Sequence, residues 1–260
     1  MLKGRTALIT GSLDGIGYAI ADALAEKGAN IMLNGFGAAD LVRERTQALR
    51  RHGNDADYHG ADISKPAQIE EMVSATQRRF GPVDILVNNA VTRHSAEIEN
   101  FPAEKWDYAI AVNLSAPFHL IRLTIAGMKA RHWGRIINLA STYGVLGTPG
   151  RADYCATKHG LVGLTRTVAL EGVAHNVTCN ALCPGAVDTP NMRKVLAERS
   201  AASGKTMEET LEAFWIGHQP SRRLVAPAKV GALAAFLCSD AAADMTGTPI
   251  AIDGAWLAGT

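Results

Sequence analysis

The sequence predicts an α/β fold in which one parallel sheet carries helices on both of its faces. Short apolar runs alternate with longer segments whose apolar residues recur at helical spacing, and the alternation continues along the 260 residues. A glycine cluster follows the first apolar run and leads directly into a helix. Because no linker and no internal repeat interrupts this pattern, we expect a single domain over residues 1–260.

Composition excludes several classes of protein. A formal net charge of +1 with 20% charged residues provides no basic surface for nucleic acid. The eight histidines lack paired metal-ligand spacing, so no metal site is predicted. No C-x-x-C pair is present, and we expect four packed free thiols, at Cys155, Cys179, Cys183 and Cys238. No apolar run approaches the roughly 18 residues that span a membrane, which favours a soluble cytoplasmic protein without a membrane partner.

The first unit is a strand, a glycine turn and a helix. The apolar run Thr6–Thr10 precedes the turn, and apolar residues recur at helical spacing from Ile16 to Lys27. Backbone amides at such a helix start can approach a pyrophosphate, although G-x-x-x-G-x-G spacing leaves a plain loop as the alternative. The residues expected to bind a dinucleotide here are Gly11, Ser12, Asp14, Gly15, Ile16 and Gly17.

The second strand, Asn30–Asn34, ends where such folds read the adenosine ribose. No Asp or Glu is present there to bind a ribose hydroxyl, and no Arg or Lys stands beside Gly35 to pair with a 2′-phosphate. Because an unpaired phosphate is costly to bind, the sequence favours NAD over NADP. Phe36 is expected either to cover the adenine or to be a surface aromatic of a turn.

The third strand segment, Ala56–Ile63, leads into a helix that we expect to be capped by Ser64 and opened by Pro66. Asp62 at the strand end could accept a hydrogen bond from the adenine amino group, with Ile63 against the ring. The alternative is a simple turn at the end of the strand.

The fourth strand segment, Val83–Ala90, ends in two amides. Asn88 and Asn89 at the carboxyl edge of a sheet can tie neighbouring strands together and border a cofactor, since a buried Asn needs such partners.

Tyr154 and Lys158 are four residues apart, which places the phenol and the ammonium on one helical face, one turn from each other. A Tyr that exchanges protons near neutrality needs its pKa lowered by about 3 units, and a nearby ammonium has the right sign to do so. Taken alone, this spacing favours an ordinary helical i, i+4 pair.

The motifs together resemble those of the classical short-chain dehydrogenases/reductases over essentially the whole chain. Their order and intervals match at Thr10-Gly11-x-x-x-Gly15-x-Gly17, Asn88-Asn89-Ala90, Asn113, Ser141, Tyr154-x-x-x-Lys158 and Pro184-Gly185. Within that family the chain is most similar to the D-3-hydroxybutyrate dehydrogenases. The resemblance implies a Rossmann-like fold, a nicotinamide cofactor and a homotetramer.

The resemblance also implies roles for individual residues. Tyr154 would be the general acid/base on the substrate oxygen, and Ser141 would hold that oxygen. Lys158 would lower the Tyr154 pKa and hold the nicotinamide ribose, and Asn113 would anchor a water that relays protons. The further cofactor-binding residues that it implies are Asn89, Ala90, Pro184, Gly185, Val187 and Thr189.

Residues 190–220 are charged and patterned as two amphipathic helices separated by Gly204. They follow the sixth strand at the carboxyl edge of the sheet, where ligands bind in such folds. We therefore expect a helical substrate lid, with a peripheral insertion as the alternative.

The substrate side departs from the family pattern. Val91 replaces a Gly, and Ala186 replaces a Trp that is usual in hydroxybutyrate dehydrogenases. The positions that grip a carboxylate in those enzymes, a Gln, a His, a Lys and a lid Gln, here hold Arg93, Tyr143, Arg151 and Val195. Arg93 and Arg151 can together bind a carboxylate strongly. The alternative is that both are solvated charges on the surface.

The sequence thus predicts an NAD-dependent oxidoreductase that interconverts a secondary alcohol and a ketone, with a short 3-hydroxy acid such as 3-hydroxybutyrate as substrate. Its substrate-binding residues would be Arg93, Ser141, Tyr143, Arg151, Tyr154 and Ala186. An uncharged, cyclic or bulkier hydroxy ketone is the alternative substrate, and a non-catalytic dinucleotide sensor is the alternative class. Small residues on the helix after Tyr154, namely Ala156, Gly160 and Gly163, would allow the close helix packing of a homotetramer, with packing inside the subunit as the alternative.

Overall fold

The computed structural model describes residues 1–259 and contains one seven-stranded sheet in the order β3-β2-β1-β4-β5-β6-β7, in which every neighbouring pair is parallel. The strands are β1 (Thr6–Ile9), β2 (Asn30–Asn34), β3 (Ala56–His59), β4 (Ile85–Asn88), β5 (Gly134–Leu139), β6 (Val177–Pro184) and β7 (Pro249–Ile252). The predicted doubly wound, Rossmann-like α/β fold is confirmed.

The helices are α1 (Gly15–Glu26), α2 (Ala39–Arg50), α3 (Pro66–Phe80), α4 (Ala103–Ile110), α5 (Ala116–Ala130), α6 (Ala152–Gly172), α7 (Pro190–Ser203), α8 (Met207–Gly217) and α9 (Pro227–Leu237). Helices α1, α2 and α9 cover one face of the sheet, and α3, α5 and α6 cover the other. Short 3-10 turns lie at Ile98–Asn100, Thr142–Gly144, Val173–His175, Asp240–Ala242 and Leu257–Gly259.

Each central strand sends alternate side chains into two separate cores. In β1, Ile9 packs with α1 and α9, whereas its neighbour Leu8 packs with α3 and α5. The same alternation holds in β4 for Val87 and Leu86. Because both faces are buried, these strands read as continuous apolar runs rather than as alternating patterns.

The order of the strands reverses between β1 and β4, which are neighbours in the sheet although they are distant in sequence. Loops leaving their carboxyl ends diverge toward opposite faces and open a crevice, which is where ligands bind in folds of this type. The glycine turn and the Asn88-Asn89 pair both lie at this point.

Helices α4 and α5 are joined by a π-helical turn at Ala111–Ser115 into one continuous helix, Ala103–Ala130. By length and composition alone this helix could span a membrane, contrary to the sequence expectation that no segment approaches that limit. Its apolar residues Val112, Leu120 and Met128 are buried against the sheet, as in the core helix of a globular protein.

Two local predictions have clear outcomes. Segment 190–220 forms the expected pair of helices, and α7 ends at Gly204 with a φ of +67°. Ser64 was expected to cap α3, but the N-cap is Lys65 without a side-chain hydrogen bond. The Ser64 hydroxyl instead donates to Asp62 Oδ1 at 2.7 Å.

Candidate active site

A cavity of about 890 Å³ lies at the carboxyl edge of the sheet, between the glycine turn and helices α7 and α8. Most of the residues singled out from the sequence line it. Those among its lining are Gly11, Asp14, Gly15, Ile16, Gly17, Phe36, Asp62, Ile63, Asn89, Ala90, Arg93, Ser141, Tyr143, Arg151, Tyr154, Lys158, Pro184, Gly185, Ala186, Val187 and Thr189. Ser12 and Asn113 lie outside it and support residues that line it.

The glycine turn leaves no room for side chains. Gly11 has a φ of +61°, and a Cβ built there would lie 2.7 Å from the Ala90 Cα. A Cβ on Gly17 would lie 2.3 Å from the Gly11 carbonyl oxygen. Asn89 fixes the turn, because its Nδ2 donates to the carbonyl oxygens of Thr10 at 2.9 Å and Gly11 at 2.7 Å.

The start of α1 fits an anionic ligand. Asp14 is the N-cap but makes no side-chain hydrogen bond to the helix, and the first turn contains no acidic residue. The first backbone amides of a helix have no partner within it, so here they are available to a pyrophosphate that the turn lets approach closely.

Ser12, which is expected to bind the dinucleotide, lies behind the glycine turn. Its side chain is fully buried, and its hydroxyl donates to the Ile9 carbonyl at 2.8 Å while accepting from the Asn34 amide at 3.0 Å. Ser12 therefore ties the turn to β2 and holds the cradle from behind, instead of presenting its hydroxyl to a ligand.

At the adenosine end of the cavity, Phe36 is 72% exposed at the rim, and Asp62 and Ile63 form the wall. Asp62 Oδ1 accepts from both the amide and the hydroxyl of Ser64, and these hydrogen bonds lower the pKa of its carboxyl. Asp62 is thus an ionised acceptor that is already partly engaged. Asn34 holds this wall in place through a 3.0 Å bond from its Nδ2 to the Ala61 carbonyl.

The four residues with proposed catalytic roles come from three elements on one side of the sheet. Ser141 follows β5 and accepts a hydrogen bond from the Tyr143 amide at 3.2 Å. Tyr154 and Lys158 lie on α6, where the ammonium is 5.6 Å from the centre of the phenol ring. Ser141 and Lys158 are buried, whereas Tyr154 is half-buried and faces the cavity.

Burial dominates the acid–base properties of this pair. Burial raises the pKa of the Tyr154 phenol, and a hydrogen bond with Ser141 opposes that rise, as do the charges of Arg93 and Arg151. The Lys158 ammonium instead donates to the Leu139 carbonyl, and burial lowers its own pKa to about 8. The expected role of Lys158, as the cation that lowers the Tyr154 pKa, stays a prediction, and in this structure the charges of Arg93 and Arg151 lower that pKa.

Asn113 lies in the π-helical turn and is buried. Its Oδ1 accepts from the Thr92 amide and its Nδ2 donates to the Thr92 carbonyl, both at 2.9 Å. Nδ2 also donates to the Thr157 hydroxyl at 3.2 Å. The side chain expected to anchor a relay water thus holds the segment that follows β4 against α6.

The loop after β6 is held by Gln219, whose Oε1 accepts from the Ala186 amide at 2.7 Å. Gly185 allows this approach, because a Cβ there would lie 2.7 Å from that same oxygen. Val187 forms a bridge with Val225, and Thr189 caps α7 by accepting from the Met192 amide at 3.2 Å. The loop is therefore fixed where it borders the cavity.

The substrate end of the cavity combines cations with aromatic rings. Arg93 is exposed and Arg151 is half-buried, and no ion pair within residues 1–259 involves either of them. Trp256 touches the rings of Tyr143 and His218 edge-on, at centroid distances of 5.5 and 4.8 Å.

Sequence reasoning did not assign several of the lining residues to the site, because they come from segments far apart in the chain. Phe214 and His218 stack at 4.9 Å on α8 and the residue that follows it, and Arg199 lies on α7. The apolar pattern of residues 190–220 had signalled Phe214 as a helix face, but nothing in the sequence placed that face against the C-terminal Trp256.

Comparison with known proteins gives one consistent group. Residues 11–256 match a family profile described as Enoyl-(Acyl carrier protein) reductase. The D-beta-hydroxybutyrate dehydrogenase of Cupriavidus necator is 48% identical, covering 99% of this chain and 100% of the relative. That of Rhizobium meliloti is 46% identical, covering 98% and 99%.

Solved structures agree with this grouping. The L-sorbose reductase of Gluconobacter frateurii, complexed with NADPH and L-sorbose, superimposes with a TM-score of 0.93 at 32% identity, covering 98% of this chain and 97% of that one. Levodione reductase superimposes with a TM-score of 0.90 at 30% identity over the full length of both chains.

Proposed function

This chain belongs to the short-chain dehydrogenase/reductase family, and we propose that it interconverts a short 3-hydroxy acid, such as 3-hydroxybutyrate, and its ketone with NAD as cofactor. Its relatives identify it as an oxidoreductase of secondary alcohols and ketones that uses a nicotinamide dinucleotide. The identity of the acid and the choice of NAD are the parts that we propose.

The observation that carries the substrate proposal is the pair of arginines beside Tyr154. Arg93 and Arg151 line the same cavity as Tyr154, and their charges lower the pKa of its phenol, so a substrate whose oxygen meets Tyr154 shares the cavity with two guanidinium groups. A guanidinium binds a carboxylate bidentately and keeps its charge at all ordinary pH values. A hydroxyl carbon two bonds from a carboxylate suits this arrangement, and two close relatives are named for such a substrate.

The reacting groups divide the work as follows. Tyr154 exchanges a proton with the substrate oxygen, and Ser141 holds that oxygen by a hydrogen bond. A bound nicotinamide ring supplies or accepts the hydride at the substrate carbon. The positive charge of Lys158 favours the phenolate and the cofactor ribose while its amine is protonated, and Asn113 keeps the neighbouring segment in register.

The same chain offers groups suited to each part of the dinucleotide. The amides of the turn Gly11–Gly17 suit the pyrophosphate, Asn89 and Ala90 border the middle of the molecule, and Val187 with Thr189 suits the carboxamide. Asp62 lines the adenosine end of the cavity and also pairs with Lys65 at 3.6 Å. Its negative charge disfavours a 2′-phosphate, which supports NAD.

Helices α7 and α8 form the proposed lid of this single catalytic domain, since they border the cavity through Val195, Arg199 and Phe214. We also propose a cytoplasmic homotetramer. A Cβ on Gly163 would meet nothing within 4 Å, and Leu170 on the same helix is 80% exposed, so this face of α6 is open to close helix packing.

A bulkier or uncharged hydroxy ketone is the second candidate substrate. The aromatic rings of Tyr143, Phe214 and Trp256 favour it, because they offer apolar area at the place where a substituent of the substrate would lie. The small side chain of Ala186, which also lines the cavity, adds room.

The decisive experiment compares D- and L-3-hydroxybutyrate with neutral cyclic alcohols, each with NAD and with NADP, by following absorbance of the reduced cofactor. The highest kcat/KM is expected for a 3-hydroxybutyrate enantiomer with NAD. A higher kcat/KM for a neutral alcohol would favour the second candidate. Cofactor binding without any turnover across the panel would indicate a dinucleotide sensor.

A further inference from the structure

Asp153 is a buried carboxylate directly before Tyr154, and the chemistry described so far does not use it. Its side chain is 1% exposed, in the first turn of α6. Oδ1 accepts from the Tyr154 amide at 2.6 Å, and Oδ2 accepts from the His94 amide at 2.9 Å. A carboxylate is favoured at this end of a helix, but the bond to His94 reaches across 59 residues of sequence and serves another segment.

That segment carries Arg93. Residues 89–97 leave β4 and run to the next 3-10 turn without helix or strand. On one side of Arg93, Thr92 is held by Asn113, whose Oδ1 accepts from the Thr92 amide and whose Nδ2 donates to the Thr92 carbonyl, at 2.9 Å each. His94 is held on the other side by Asp153. Arg93 is therefore the residue between two anchors, and both anchors lie on helices that pack together.

A backbone hydrogen bond also joins the segment that carries Arg93 to the loop before Arg151. The Ala96 amide donates to the Gly150 carbonyl at 3.3 Å, next to Arg151. The Thr157 hydroxyl donates to the backbone carbonyl of Asp153 at 2.7 Å and accepts from Asn113, which closes the network between the two anchors. The loops that carry the two cations thus meet at the start of α6.

We propose that Asp153 is a positioning residue that holds Arg93 at a set place relative to Tyr154. An irregular segment would otherwise move independently of the helix, and a cation that recognises a substrate anion must be placed within a fraction of an ångström to be effective. Because one carboxylate binds both the amide of Tyr154 and the amide after Arg93, substrate recognition and proton transfer share one point of support. The expected effect on KM rests on the proposed acid substrate, whereas the expected effect on the segment that carries Arg93 does not.

The variants follow from the geometry. Asp153→Ala removes both acceptors, so the His94 amide loses the partner that holds it in this structure. Asp153→Asn keeps one acceptor oxygen and nearly the same size, so its effects should fall between those of the parent and Asp153→Ala. Glu97→Gln is the matched control, because it neutralises an exposed carboxylate in the same segment.

Two measurements test the proposal. Hydrogen–deuterium exchange of residues 91–96 should become at least about 10-fold faster in Asp153→Ala, less so in Asp153→Asn, and should not change in Glu97→Gln. With the acid substrate, KM should rise about 10-fold in Asp153→Ala while kcat falls less. In an Arg93→Gln background Asp153→Ala should change KM by less than about 2-fold, because Asp153 is proposed to affect substrate binding through Arg93.

The outcomes separate this proposal from the proposed function. Unchanged exchange in both Asp153 variants would overturn it, and so would an equal rise in KM in the presence and absence of Arg93. If the parent enzyme does not oxidise 3-hydroxybutyrate, the substrate proposal fails, and the exchange measurement still decides the role of Asp153. Should Asp153→Ala fail to fold, Asp153→Asn decides on the same two measurements.

Discussion

The Lys158 ammonium lies 5.6 Å from the centre of the Tyr154 ring and donates to the Leu139 carbonyl of the neighbouring strand. The lysine is therefore anchored to the sheet, not to the phenol, while the phenol interacts with Ser141. The proposed proton exchange with the substrate therefore belongs to Tyr154, while Lys158 contributes a positive charge without contacting the phenol oxygen. Each function can be tested alone.

Tyr154→Phe should lower kcat/KM by roughly 10²- to 10⁴-fold, the usual contribution of a positioned acid/base. The ring stays in place and only the proton-transferring oxygen is lost, so cofactor affinity and melting temperature should change little. Steady-state kinetics and cofactor fluorescence titration measure the two effects. Turnover close to that of the parent in a folded variant would refute the assigned role.

Lys158 predicts a specific dependence of stability on pH. Burial lowers its pKa from 10.5 to about 8, so between these values the unfolded chain binds more protons than the folded one. The free energy of unfolding that Lys158 contributes should therefore rise with pH across this window, by up to about 1.4 kcal/mol per pH unit. Any stability advantage of Lys158→Met near pH 7 should shrink as pH rises from 8 to 10.

The parent and Lys158→Met must be compared because other groups also titrate in this pH range. Burial raises the pKa values of Cys179 and Cys238 to about 12, and these thiols remain in both proteins, so their contribution cancels. Denaturant unfolding at pH 7, 8, 9 and 10 gives the required differences. A constant difference at all four values would contradict the shifted pKa of Lys158.

Gly17→Ala should weaken cofactor binding. Its Cβ would lie 2.3 Å from the Gly11 carbonyl and 2.5 Å from Asn89 Nδ2, so the cradle must shift, at a cost of about 1–3 kcal/mol. Gly147→Ala is the control, because nothing lies within 4 Å of a Cβ there. Calorimetric titration with NAD and thermal unfolding should separate the variants, and normal binding by Gly17→Ala would remove the turn from the cofactor site.

Local signals in the sequence were sufficient for the scaffold. Strand β2 has its expected bounds. A parallel strand that is buried on both faces appears in the sequence as a short continuous apolar run, which can be recognised directly. Asn88 donates to Asn138 Oδ1 at 2.7 Å, and Asn89 holds the glycine turn, as two amides at a strand end suggested. These predictions succeed because each depends on residues close in sequence or on adjacent strands.

Properties that depend on distant segments were not accessible in the same way. The pKa of Tyr154 follows from its burial and from two arginines on separate loops, and spacing to Lys158 cannot report either. The inward orientation of Ser12 depends on the Asn34 amide. The sequence did not single out Asp153, because its partner, His94, is 59 residues away.

Gly163→Glu should break the proposed tetramer. The position is exposed on α6, and a Cβ there meets nothing within the subunit, so a charged side chain is tolerated by the monomer and excluded from a close helix contact. Light scattering should show a smaller particle for the variant than for the parent. A monomeric parent, or a variant of unchanged mass, would remove this face of α6 as an interface.

Arg151→Gln tests how the site distinguishes an acid from a neutral substrate. Loss of one charged hydrogen-bonding partner costs about 1.5–3 kcal/mol, so kcat/KM for 3-hydroxybutyrate should fall roughly 10- to 150-fold. For a neutral alcohol of similar size the change should be small, because no anion is there to lose its partner. Arg51→Gln, on an exposed surface outside the cavity, should behave like the parent with both substrates. An equal loss for both substrates would mean that Arg151 supports Tyr154 without binding the carboxylate, and the second candidate substrate would then be favoured.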